Sequence, residues 1–252
     1  MNNKFEEDYK DLLVKALTVG SLDENRTGVK AYTLFAEQLR FDTRCNLVPI
    51  ITGKKILYKK AWYEYQWIKS GGTDTKYLNY HGIRWWDKYA DSNGNLPKTY
   101  GHQLRNYNGE FDQLDYCINQ IKQNSRRAHI TMWNPSDLEE QVLPCCYTGL
   151  TFVTTLNNSV LNLSIDFRSS DLFLGLPYDI LFGFYLLMRV AFITDKKPGE
   201  IVFNLNNAHV YENHKEGVEE YIASKHHKLP TYIGGHEINY KHGSFIQVPL
   251  NN

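Results

Sequence analysis

The chain has 252 residues, 42% of them apolar and 22% charged, which excludes a disordered tail and a membrane-embedded bundle. Its 28 Lys and Arg balance 28 Asp and Glu, so there is no overall basic excess for general nucleic-acid binding by counterion release. An aromatic share of 14% suits flat ligands and ordinary core packing alike. No repeat, low-complexity tract or linker divides the chain, and residues 1–252 read as one domain. Four cysteines (Cys45, Cys117, Cys145, Cys146) form neither a disulfide framework nor a C-x-x-C zinc pattern, so no metal is expected. The polar, acidic start from Met1 to Lys10 predicts no signal peptide. Ile180–Ile193, interrupted by Arg189, reads as too short to cross a bilayer. The expectation is a soluble protein of a reducing compartment, the cytoplasm.

In chain order, Phe5, Tyr9, Leu12, Leu13, Ala16 and Leu17 recur with helical spacing, and Gly20 follows as a stop. Lys30–Phe41 predicts a strand. Ala61–Lys69 predicts a helix that places Glu64 among Trp62, Tyr63, Tyr65 and Trp67. Asp91–Asn95 has loop composition. From Ala128 the pattern turns to strands, with Asn157-Asn158-Ser159 as a hairpin turn. Beyond it, Leu161, Leu163, Ile165 and Phe167 alternate with Asn162, Ser164, Asp166 and Arg168. Ile180–Ile193 is apolar all round, the mark of a helix buried on every side, and Pro177 suits its first turn. Ile201–Leu205 predicts a short strand. Helices interspersed with a largely antiparallel or mixed sheet give the α+β class.

Several residues could carry chemistry. Cys145 and Cys146 are candidate nucleophiles, since a thiolate attacks well once positive groups lower its pKa; both could equally be small buried hydrophobes. Arg26, Arg126, Arg127 and Arg168 could fork a phosphate, or each could sit in a surface ion pair. Glu64, if buried by its aromatic neighbours, would have a raised pKa suited to acid or base work; otherwise it faces solvent. Asp179 sits at the head of the buried helix, where the helix dipole favours a negative charge. His209 and Tyr211, two apart on a strand, would share a face and could both bond a ligand.

The order of these motifs resembles the thymidylate synthase family from about Tyr9 to about Val248. The stretches that carry it are Asn25-Arg26-Thr27-Gly28, Trp86-Asp87 with Tyr100-Gly101 following, Ser125-Arg126-Arg127 and Leu143-Pro144-Cys145-Cys146. The run from Arg168-Ser169-Ser170-Asp171 through Leu172-Phe173-Leu174-Gly175-Leu176-Pro177, and His209-Val210-Tyr211, complete the set. The resemblance implies a homodimer of α+β subunits with sheets packed back to back. It also implies a pyrimidine nucleoside monophosphate substrate and 5,10-methylenetetrahydrofolate as cosubstrate. By position, Cys146 would attack C6 of the base, with Glu64, Tyr100 and Asp179 as further catalytic residues. Arg26, Arg168 and Ser169 would hold the phosphate, and Arg126 and Arg127 would reach it from the other subunit. His209 and Tyr211 would hold the sugar 3′-hydroxyl. Trp86, Leu143, Asp171, Gly175 and Tyr178 would form the folate site. Arginines beside Cys146 would favour its thiolate.

Two departures bear on the base. Family members acting on dUMP carry Asn at the position of Asp179, where an amide accepts from uracil N3–H and donates to O4. Cytosine reverses that edge, which suits Asp179 either as a neutral acid donating to N3 or as a carboxylate paired with N3-protonated cytosine. The second departure is Tyr147, where the family usually has His beside the nucleophile. The Asp resembles the family branch of phage deoxycytidylate (dCMP) hydroxymethylases, in which water adds to the methylene intermediate. The tail Phe245–Asn252 departs from the ending that closes over folate, and a looser closure would admit water. The expectation is therefore a dCMP 5-hydroxymethyltransferase. The alternatives are a reductive dCMP methyltransferase, an ordinary dUMP synthase, and a catalytically dead binding homologue, which should lack the nucleophile or the arginines.

Overall fold

A helical stripe of Phe5, Tyr9, Leu12, Leu13 and Ala16 organises the first element, α1 (Lys4–Val19), which buries all five. The computed structural model describes residues 3–251, so Met1, Asn2 and Asn252, the extremes of the polar start and of the tail, lie outside the described residues. Gly20 ends α1 with ordinary negative φ, not a left-handed turn; a Cβ there would lie 2.3 Å from the Ala16 carbonyl oxygen, so glycine is required by close approach. Strands β1 (Ser21–Asp23) and β2 (Ala31–Asp42) follow, then α2 (Tyr58–Lys69), which starts earlier than the Ala61 expected, and α3 (Lys76–Tyr80). The turn at Asp91–Asn95 is built as its composition suggests. The Asp91 carboxylate accepts from the Asn93 and Asn95 N–H groups, both at 2.8 Å, and Gly94 takes φ 82°.

The chain continues through α4 (Tyr100–Arg105), α5 (Gln113–Lys122), β3 (His129–Thr131), β4 (Tyr147–Thr155), β5 (Val160–Phe167) and β6 (Ser170–Asp171). It ends with α6 (Leu176–Ile193), β7 (Lys197–Tyr211) and α7 (Lys215–Ala223). The strands form one mixed sheet in the order β1-β2-β7-β5-β4-β3, with β6 also beside β7. Pairings β5–β7 and β6–β7 are parallel and the others antiparallel, the α+β arrangement expected. The Asn157-Asn158 turn joins β4 to β5 with both residues in the left-handed region.

Alternation along β5 is realised in full. Leu161, Leu163, Ile165 and Phe167 are buried against the helical layer, each contributing about 1.5–3 kcal/mol by leaving water. Asn162, Ser164 and Asp166 face the other side, where the Asn204 amide donates to Ser164 Oγ (2.9 Å) and Asp166 Oδ1 (2.7 Å). The short strand expected at Ile201–Leu205 is instead the 15-residue β7. Polar Asn204, Asn206 and Asn207 break the apolar run in sequence, yet they lie on the half-open or exposed positions of a strand that buries Ile201, Phe203, Leu205 and Ala208. The apolar helix expected at Ile180–Ile193 begins at Leu176, with Pro177 in its first turn, where a missing N–H costs nothing. At 18 residues α6 is long and apolar enough to cross a membrane, which corrects the expectation from length; 67% of it lies inside the protein, as befits a core helix.

Candidate active site

Sheet topology alone brings Cys146, the candidate nucleophile, to an arginine. Cys146 precedes β4, Arg168 follows β5, and these strands are antiparallel neighbours, so the Arg168 N–H donates to the Cys146 carbonyl at 3.0 Å. The C-terminal end of β7 arrives beside them, with Asp171 opposite His209 in the β6–β7 register. The start of α6 supplies Gly175 and Asp179, and the loop after β1 supplies Arg26. An open cleft of about 410 Å³ results, lined by Arg26, Leu143, Cys146, Arg168, Ser169, Asp171, Gly175, Asp179, His209 and Tyr211. Beneath it lies a cavity of about 60 Å³ whose walls include Glu64, Trp86, Tyr100, Tyr147, Tyr178 and Asp179. Asp179 thus forms a wall of both. Arg126 and Arg127 stand apart, exposed on the turn before β3, and among the described residues neither makes an ion pair.

Burial decides the electrostatics. The Cys146 thiol pKa is raised, because desolvation outweighs the help it receives, and the nearby Asp179 acts in the same direction. A hydrogen bond from the Tyr100 hydroxyl and the charge of Arg168 pull the other way and lose. Arg168 thus favours the Cys146 thiolate, as expected of an arginine there, but burial and Asp179 outweigh it. The Arg168 guanidinium is instead engaged by the loop around the nucleophile, donating Nε–H to the Cys145 carbonyl (2.9 Å) and Nη2–H to the Pro144 carbonyl (2.7 Å). Tyr100 fixes the same loop, its hydroxyl oxygen accepting from the Cys146 N–H at 2.8 Å.

The Asp179 carboxyl has no side-chain hydrogen bond among the described residues, and its pKa is raised well above the usual carboxylate range by burial, then by Glu64 and Asp171. The pull of the α6 N-terminus on an anion, about 0.3–1 kcal/mol, does not overcome that. The reading of Asp179 as a mere helix-dipole anion is therefore insufficient. Glu64 is enclosed, and its Oε1 accepts from the indole N–H of Trp85 (2.7 Å) and of Trp86 (2.5 Å). Desolvation still raises its pKa against those two bonds. Tyr147 is 2% exposed and stacked on Phe182 at 4.9 Å, and its hydroxyl has no protein partner.

The remaining residues have structural duties as well. Asp171 Oδ1 accepts from the Phe173 and Leu174 N–H groups, both at 3.0 Å, shaping the turn into α6. His209 pairs with Asn207 Oδ1 at 2.9 Å, and its ring meets that of Tyr211 edge-on with centroids 5.0 Å apart. Trp86 is mostly buried against Trp67, Tyr89 and Tyr100; half-buried Trp85, with Tyr178 at 5.6 Å, presents more aromatic surface. Leu143 lines the cleft and a small hollow shared with Trp86. Sequence reasoning missed Asn207, although its spacing from His209 signals a shared strand face. It also missed Ser170, whose buried Oγ at the cleft has no protein partner. Lys54 gave no signal: buried, bonded to the Phe173 carbonyl and 3.5 Å from that ring's centre, its ammonium pKa is pushed down to about 7 by desolvation, with Asp171 opposing.

The C-terminal tail is tied down, contrary to the loose closure expected. Asn213 and Asn251 exchange side-chain hydrogen bonds of 2.9 and 2.7 Å, and the buried His214 Nε2 lies 2.7 Å from the Pro249 carbonyl oxygen. Leu250 and Asn251 thereby join the cleft wall. Among the described residues no group of three or more His, Cys, Asp or Glu could hold a metal ion. A family model for thymidylate synthase matches residues 7–246. With a cysteine, a carboxylate pair and arginines gathered at one end of a mixed sheet, the chain belongs to the thymidylate synthase family, folate-dependent enzymes that transfer one carbon to a pyrimidine nucleotide.

Proposed function

We propose that the protein transfers a one-carbon unit from 5,10-methylenetetrahydrofolate to C5 of dCMP, with water completing the reaction to give the 5-hydroxymethyl nucleotide. The observation that carries this reading is the Asp179 carboxyl, enclosed, unpartnered by protein and biased towards its neutral form. A neutral acid donates to the N3 acceptor of cytosine and accepts from its 4-amino group. Uracil already carries a proton on N3 and cannot take the acid's, and the carboxylate form of Asp179 would face its O4 carbonyl with no proton between them, an unpaired contact that a polar site rejects strongly.

In this reading the Cys146 thiol loses its proton to water in the open cleft as Sγ bonds to C6. The electron pair displaced from the ring moves towards N3, which takes the Asp179 proton. C5 thereby becomes nucleophilic. Bound methylenetetrahydrofolate supplies the one-carbon unit, and Trp85, Trp86, Leu143, Asp171, Gly175 and Tyr178 are the residues that would hold it; the aromatic Trp85–Tyr178 wall beside the cleft fits a flat ring. Loss of the C5 proton as the folate departs leaves an exocyclic methylene; water from the cavity under Asp179, which is polar and large enough for water, adds to it, and the returning C5–C6 double bond expels Cys146 Sγ. Glu64 borders that cavity with one oxygen held by two indoles and the other free to take a proton. Arg26, Arg168 and Ser169 bind the phosphate, and His209 and Tyr211 the 3′-hydroxyl. A second subunit covers the polar sheet face and delivers Arg126 and Arg127 to the phosphate.

The tied tail favours one second reading, reductive methylation of dCMP, because Leu250 and Asn251 in the cleft wall narrow the path of bulk water. Incubation with dCMP, dUMP and methylenetetrahydrofolate separates the readings. Hydroxymethyl-dCMP by mass, without dihydrofolate absorbance, is the expected result. Methyl-dCMP with dihydrofolate would establish the second reading, and product from dUMP alone would overturn the cytosine assignment.

A further inference from the structure

The imidazole of His214, fully buried just before α7, stands between the C-terminal tail and Asp171. On one side its Nε2 lies 2.7 Å from the Pro249 carbonyl oxygen. On the other its Nδ1 lies 3.8 Å from Asp171 Oδ1 and has no hydrogen-bond partner among the described residues. The tail is closely seated here. A Cβ at Gly217 of α7 would lie 2.9 Å from Val248 Cγ1 and 3.1 Å from Ile246 Cγ2, so a glycine lets helix and tail approach.

Both neighbours of the ring are acceptors, and a neutral imidazole has a single N–H. With the proton on Nε2, the Pro249 carbonyl is satisfied and a bare lone pair faces the Asp171 carboxylate. With the proton on Nδ1, the carboxylate is served and a lone pair opposes the carbonyl oxygen. Asn251 does not resolve the conflict. Its amide nitrogen, 3.1 Å from Nε2, could donate to it only in the second tautomer, and it already donates to Asn213 Oδ1 at 2.7 Å. Imidazolium alone offers a donor to each acceptor, and its charge falls within ion-pair distance of Asp171.

Other titratable groups surround the ring. His209 on β7 feels the charge of His214, and the Tyr211 ring meets it edge-on at 5.4 Å. Phe173 stands between the imidazole and Lys54 and also touches Tyr221, while the Tyr9 hydroxyl of α1 bonds the Leu172 carbonyl. Burial holds these phenols protonated. Lys54, at about 7, and His209, lowered by burial, titrate near or below neutrality, so a test must separate them from His214. From the tail, Pro249 and Asn251 bring no charge.

We propose that His214 is a positioning residue which, as imidazolium, ties the C-terminal tail to Asp171, and that loss of its proton loosens the tail. The tie governs how firmly Leu250 and Asn251 are held in the cleft wall. That this wall shields a folate rests on the function proposed above; the tie itself does not.

The test is hydrogen exchange of the full-length protein, read by mass spectrometry as protection factors, which remove the intrinsic pH dependence of exchange. Protection of residues 246–251 should fall roughly fivefold or more between about pH 5 and pH 8, with α6 unchanged as internal reference. His214→Gln keeps an N–H for Pro249 and presents no nitrogen to Asp171, so its tail protection should not vary with pH. Variation that persists in this variant would assign the titration to Lys54 or His209 and overturn the proposal. Wild-type protection independent of pH would overturn it without any variant. In turnover, the KM for methylenetetrahydrofolate should rise with pH more steeply in wild type than in His214→Gln. Identical KM profiles alongside pH-dependent protection would support the tie and overturn the folate reading of the cleft.

Discussion

Replacing Asp179 by Asn exchanges a hydroxyl and an oxygen for an amide of nearly the same shape, at a side chain that no protein group holds. The amide has no acidic proton to give N3 of cytosine, so one contact of that base is lost as it reacts, and it forms no carboxylate to oppose O4 of uracil, so one contact of that base is gained. In an enclosed site each mismatched polar contact costs about 1–3 kcal/mol, so the pair should move the balance by about 2–6 kcal/mol. That corresponds to a swing between about 30-fold and about 10⁴-fold in the ratio of kcat/KM for dCMP to that for dUMP. The assay is direct competition of the two nucleotides, with products resolved by mass, in wild type and Asp179→Asn. A variant that keeps its cytosine preference would show that some other group reads the base, and the assignment of Asp179 would fail.

Other outcomes follow from the same geometry. Cys146→Ser should abolish turnover while leaving dCMP binding within a few-fold by calorimetry; residual product formation would remove Cys146 from its role. Arg126→Ala should be nearly inactive alone but recover about a quarter of wild-type activity when refolded with an equal amount of Cys146→Ser, because half of the dimers then contain one intact site. No recovery on mixing would place Arg126 outside the partner's cleft. The Asp179 pKa is raised by folding, so its contribution to stability is complete below the unfolded value and is lost as pH rises through the folded one. Asp179→Asn, uncharged throughout, should therefore raise the melting temperature relative to wild type more at pH 8 than at pH 5. Equal shifts at both values would contradict the enclosed, proton-holding carboxyl.

Much of the scaffold was legible because a single period governed each element. Leu161 to Phe167 alternate cleanly, and Leu176–Ile193 is apolar on every face, so each had one possible placement. The strand β7 was under-read, since Asn204 and Asn207 look like loop residues until Ser164 and His209 appear beside them. Within the site, Arg26, Cys146, Arg168, Asp179 and His209, named by motif order, line one cleft, while Arg126 and Arg127 stand apart and Glu64 borders the cavity beneath, and the balance of charge and desolvation was not legible. Arginines near Cys146 in sequence order suggest a thiolate, but desolvation depends on enclosure by chain segments far apart, and enclosure has no local signature. Lys54 and the Asn213–Asn251 pair were invisible for the same reason: their partners are set by tertiary packing. The tail's departure in sequence did not mean departure in position.

A Cys146 thiol that is half-buried with a raised pKa has a consequence for the survival of the protein. Peroxide and alkylating agents attack the deprotonated, accessible form of sulfur, so Cys45 on the surface is a more open target than Cys146. Oxidative insult would therefore scar an idle side of the molecule before the sulfur proposed for turnover.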